Sequence, residues 1–130
     1  MPRLIFFLLF CLFTNICLAQ AQKELNQTAS GDLIKAEKEL NIIYLEILKD
    51  YKEDEEFTGN LKAAQKMWTK FRDLEFKVKY PTKAGSYGSV QGECSSMYLT
   101  ELTEQRIKTL KVWLTGTSGK YPCAGSVKTN

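Results

Sequence analysis

Apolar residues recur at helical spacing over three stretches of the chain. Ala29, Leu33, Ala36, Leu40, Tyr44, Ile47, Leu48 and Tyr51 form the first set and predict a helix over about 23–51. Gly31 weakens its beginning by about 1 kcal/mol relative to alanine, so a proper start at Asp32 after a frayed turn is the alternative. Leu61, Gln65, Trp68, Arg72 and Phe76 fall on one stripe of a second helix, predicted over about 55–80 and stopped by Pro81. Leu99, Leu102, Leu110 and Trp113 share a stripe of a third, predicted over about 94–114 and closed by Gly116 and Gly119. The acidic run Glu53-Asp54-Glu55-Glu56 leads into the second helix, where acids complement the helix dipole. Pro81 to Gly92 is rich in Gly and Ser and long for a helix–helix connection. The expected fold is all-α. It is a small antiparallel three-helix bundle with a long loop before the third helix.

Two positions break the apolar pattern. Arg72 lies in the middle of the second stripe and Arg106 in the middle of the third. A guanidinium among apolar side chains is costly unless it is paired and hydrogen-bonded. Glu37 lies beside the apolar face of the first helix and is the natural acid for Arg72, Arg106 or both. Asn41, Gln65 and Thr103 can satisfy the remaining donors and acceptors. A structural polar network of Glu37, Asn41, Gln65, Arg72, Thr103 and Arg106 would then tie the three helices together. On that reading Arg72→Ala and Glu37→Ala each lower the melting temperature sharply, since breaking a buried pair costs ~3–5 kcal/mol. The functional alternative is capture of an anionic ligand by the two arginines.

Ahead of the helices, Arg3 precedes the unbroken apolar run Leu4 to Phe13, and Cys17-Leu18-Ala19 follows. This is the layout of a secretory signal peptide, and the run is too short to span a membrane. Residues 1–19 are therefore read as a signal peptide and 20–130 as the helical domain, with cleavage after Ala21 as the alternative. Cys11 follows Phe10 and Cys17 follows Ile16, where a lipid-attachment site has a small residue, so no lipobox is present. The expected location is periplasmic or secreted, with membrane contact only through the signal peptide. Cleavage removes two of the four cysteines and leaves Cys94 and Cys123. Two cysteines in an exported chain most simply form one disulfide. The tail after the third helix would have to fold back along most of ~30 Å of helix to bring Cys123 to Cys94. A bridge to a partner chain is the alternative.

Charge and chemistry narrow the function. The chain carries a net charge of +3, and Arg3 is the only charged residue in 1–19, so cleavage leaves +2. That balance is too mild to imply nucleic acid. Lys62, Lys66, Lys70, Lys77 and Lys79 give the second helix a basic outer side without aromatic interleaving. There is no histidine, no HExxH, no phosphate loop and no CxxC. Asp73 and Glu75 point about 160° apart on one helix and cannot flank a single glycosidic bond. No enzyme activity, metal or cofactor is expected. The long loop, with Tyr87 and Gln91, is the candidate binding segment.

Three blocks then resemble a known family. Glu37-x-x-Leu40-Asn41-x-x-Tyr44, Ala64-Gln65-x-x-Trp68-x-x-Phe71-Arg72-Asp73 and Leu102-Thr103-x-x-Arg106-x-x-x-Leu110 occur in the order of the LprI-like family, an exported, all-helical bacterial domain. The resemblance spans about Leu25 to Cys123. The family's acid and its two arginines fall on Glu37, Arg72 and Arg106. Many members carry cysteines where Phe76 and Tyr98 stand here, so an aromatic contact is expected in place of that bridge. Cys94 and Cys123 resemble a sub-branch ending in a Gly-rich Cys-x-Gly tail, which implies the disulfide-tethered tail. For function the resemblance implies a non-enzymatic binding protein that blocks lysozyme. The alternative is a cell-envelope structural or interaction module for another protein or a glycan.

Overall fold

The computed structural model describes residues 2–119 and 122–129, with side chains from residue 20 onward. The side chains of the N-terminal apolar run, Cys11 and Cys17 among them, and Lys120 and Tyr121 in the tail, lie outside the described residues. Three helices account for the secondary structure: α1 (Pro2–Asp50), α2 (Glu55–Lys79) and α3 (Gln91–Thr115). An isolated bridge between Thr117 and Thr129 is the one β pairing among the described residues.

α1 does not fray before Asp32. It runs helically through Gly31, where an added Cβ would meet nothing within 4 Å and the backbone is ordinary. The glycine cost is local, and the helix is continuous on both sides of it. The acidic run behaves as its position predicts. Asp54 is the N-cap of α2 and accepts a hydrogen bond from the Phe57 N–H at 2.9 Å, while Glu55 and Glu56 fill the first turn. Lys77 and Lys79 occupy its last turn, and Pro81 follows the Tyr80 cap. α3 begins three residues earlier than expected, at Gln91, and ends at Gly116, whose φ of 72° favours glycine.

The helices run up, down and up. Tyr51 and Phe57 stack across the first turn, and Arg72 further along α2 reaches back to Glu37. Gln65 meets Arg106 and Glu75 meets Tyr98, which sets α2 antiparallel to α3. α1 and α3 run in the same direction and form the main interface, marked by Gln22 with Glu93 and Glu39 with Lys111. The core joins Ala36, Leu40, Ile43 and Ile47 of α1 to Ile107 and Leu110 of α3, with Leu61 from α2. Tyr44, Tyr51, Phe57, Trp68 and Trp113 pack around it. Burial of Ile47 and Leu110 stabilises the fold by about 2–3 kcal/mol each. On α3 the buried line is Thr103, Ile107 and Leu110. Leu99, Leu102 and Trp113 are only half-buried beside it.

The tail corrects the expected disulfide. Cys94 and Cys123 are exposed free thiols. The tail stays at the far end of α3 from Cys94. Thr117 N–H donates to Lys128 O at 2.9 Å, Trp113 Nε1 to Ser126 Oγ at 3.2 Å, and Tyr51 Oη to Ser126 O at 3.2 Å. Lys128 pairs with Asp50 at 3.4 Å and its ammonium sits 4.9 Å from the Tyr51 ring centroid. These contacts hold the tail over the α1–α2 corner. The length of α3, roughly 30 Å between the two cysteines, separates them.

Candidate functional site

Glu37 and Arg72 meet as the sequence pattern requires. Arg72 Nη1 donates to Glu37 Oε1 at 3.0 Å, and Nη2 lies 3.6 Å from Asp73 Oδ1. The Arg72 side chain is 17% exposed and that of Glu37 46%, so the pair is half-buried rather than enclosed. Arg106 does not share this acid, and none of the ion pairs among the described residues includes it. Its Nε donates to Gln65 Oε1 at 3.0 Å. Partial burial without a carboxylate pushes the Arg106 pKa down from its ordinary value.

What joins the two arginines is Trp68. The guanidinium carbons of Arg72 and Arg106 lie 5.4 Å and 6.0 Å from its ring centroid. The Arg72 Nε is buried without a hydrogen-bond partner. Thr103 is fully buried but bonds its own helix, donating to Leu99 O at 2.7 Å, and takes no part in satisfying the arginines. Asn41 is exposed and lines a small cleft of about 250 Å³ between α1 and α2, together with Glu37, Gln65, Trp68 and Arg72. The polar cluster is thus two linked pairs across one indole. Its spacing was visible, since Gln65, Trp68 and Arg72 occupy one stripe.

The long loop is folded onto itself. Gln91 Oε1 accepts hydrogen bonds from the backbone N–H groups of Gly85 and Tyr87, so it shapes the loop from the first turn of α3. Tyr87 is 41% exposed and meets Tyr80 edge-on at 5.5 Å. Tyr80 in turn packs on Phe76 at 5.2 Å. The expected contact between Phe76 and Tyr98 is absent from the ring contacts among the described residues. Tyr98 instead carries Lys79 Nζ over its ring at 3.7 Å and donates to Glu75 Oε2 at 3.4 Å. Desolvation, then the Glu75 charge and hydrogen bond, raise the Tyr98 pKa.

A third region combines a cavity with charge. A cleft of about 420 Å³ opens beside the N-terminus of α2, floored by Phe57, Leu61, Leu110 and Trp113. Asp54 and Glu56 line it, and Arg106 reaches it from α3. Glu53, Asp54, Glu55 and Glu56 are all exposed at this corner. Glu53 is partly offset by Lys52 at 3.4 Å. The sequence showed the acids but not the apolar floor, which is assembled from α2 and α3, with Ser126 of the tail at its edge.

No group of three or more His, Cys, Asp or Glu residues could hold a metal ion among the described residues, and none of their helical segments is long and apolar enough to cross a membrane. Neither a curated protein nor a solved structure matches the chain. A family model does match it, over residues 17–110, a span containing the Glu37–Arg72 pair, Trp68 and Arg106. The family is described as lysozyme inhibitor LprI, and the chain belongs to it.

Proposed function

We propose that this chain is an exported, non-enzymatic binding protein that binds and blocks lysozyme. The observation that carries the reading is the family match over residues 17–110. The surface best suited to the task is the acidic corner Glu53 to Glu56 beside the apolar cleft of Phe57, Leu61, Leu110 and Trp113. Lysozymes of the host-defence kind are strongly basic. A carboxylate rim around an apolar floor complements a cationic, partly apolar surface. The loop carrying Tyr87 is a second contact element, with Gln91 holding its shape rather than touching the partner. The mature charge of +2 weakens long-range steering, so attraction is local and salt-sensitive.

Export follows from the N-terminal pattern. Every buried core residue described lies at Ala29 or beyond, within the proposed mature chain. The intact mass of the exported protein tests that cleavage.

Turbidity of cell walls exposed to lysozyme, with and without purified protein, tests inhibition. Protection is expected at a modest molar excess. No protection at a large excess removes this reading and leaves the second, an envelope interaction module for another protein or a glycan. The slight positive charge of the mature chain favours that second reading.

A further inference from the structure

α2 has a second apolar stripe on its outer side. Met67, Phe71, Leu74 and Val78 are 62%, 52%, 59% and 75% exposed. Their spacing alternates four, three and four residues, which is the seam of a coiled coil. Leu61, the one buried residue described on this helix, lies about 110° around the axis from the centre of that row. Large apolar side chains in a contiguous exposed row mark an interaction face.

The charges beside the row select the occupant. Taking Phe71 and Val78 as a positions and Met67 and Leu74 as d positions puts Lys70 and Lys77 at g and Glu75 at e. In a parallel pair of such helices, a g residue faces the e residue of the other chain five positions on. Lys70 then meets the partner's Glu75, and two-fold symmetry makes the contact twice. In an antiparallel pair the lysine columns face each other and repel. Within one chain Lys70 and Glu75 are about 140° apart around the axis and cannot pair. Neither takes part in an ion pair among the described residues, and Glu75 holds only the long Tyr98 hydrogen bond.

We propose that a second copy of this chain docks on the outer face of α2, giving a parallel two-fold dimer with Phe71, Leu74 and their neighbours at its centre and Lys70–Glu75 pairs across it. The seam is short. Four seam residues a side make a small interface, so the dimer is weak and exchanges with monomer.

Sedimentation velocity of the purified protein, from micromolar to hundreds of micromolar, tests this. Wild type should shift towards twice the monomer mass as concentration rises. Leu74→Asp should remain monomeric while keeping the wild-type helical circular dichroism and melt at low concentration. Lys70→Glu and Glu75→Lys should each weaken association about tenfold, and the double charge swap should restore it to within a few fold of wild type. A wild type that stays monomeric throughout overturns the proposal, even if the same face binds anionic vesicles. A double swap as weak as the single variants overturns the parallel register.

Discussion

Arg72 has three sides of its guanidinium occupied: Glu37 on one nitrogen at 3.0 Å, Asp73 near another at 3.6 Å, and the Trp68 ring face at 5.4 Å. Glu37 is much more exposed than Arg72, so solvent screens their pairing. Glu37→Ala should therefore cost only about 1 kcal/mol, as half-exposed ion pairs do. Arg72→Ala should cost about 2 kcal/mol, because it also strips the side chain from Trp68. Urea denaturation of both variants checks this, and equal losses of several kcal/mol would show a fully enclosed pair. Tyr98 gives a second expectation at this scale. Its folded-state pKa lies above the ordinary value of 10.0, so its contribution is full below that value and is lost as pH rises through the folded one. Tyr98→Phe should flatten the alkaline fall in melting temperature above about pH 10. At this scale the sequence made the Glu37–Arg72 pair legible because an acid beside an apolar stripe and an arginine within one demand each other. It did not reveal that Arg106 would settle for Gln65 and the edge of the Trp68 site with no acid of its own.

Among the elements, α2 and α3 were legible within a few residues, because Asp54, Pro81 and Gly116 punctuate them. α1 was legible over about 23–50, and only its unbroken course through Gly31 was not, because an interior glycine weakens a helix without having to end it. With no neighbour to meet its Cβ, Gly31→Ala should stabilise the helix by about 0.5–1 kcal/mol, measured as a rise in the melting midpoint. Asp54→Ala removes the cap of α2 and should cost about 1 kcal/mol. The lysines flanking the outer row from Met67 to Val78 give it the look of a solvated face. Its four–three–four spacing was nonetheless present in the sequence.

For the whole molecule, the tail is held by Ser126 and Lys128 against Tyr51, Trp113 and Asp50, so it needs no bridge to Cys94. Cys94→Ser should leave the melting temperature unchanged, whereas loss of a structural disulfide would cost about 2–5 kcal/mol and lower it clearly. Pairing two cysteines from compartment and count was sound chemistry, but it carried no information on where the tail would pack. The same tail completes the apolar cleft with Ser126, so only the folded chain brings the acidic corner and its floor together. The measurement bearing most directly on function is the affinity of lysozyme for the purified protein and for a Glu53→Lys/Glu55→Lys/Glu56→Lys variant at low salt. Tight binding that weakens about 10–100-fold in the variant, with the helical circular dichroism retained, is the expected result. No measurable binding by either protein would contradict the account.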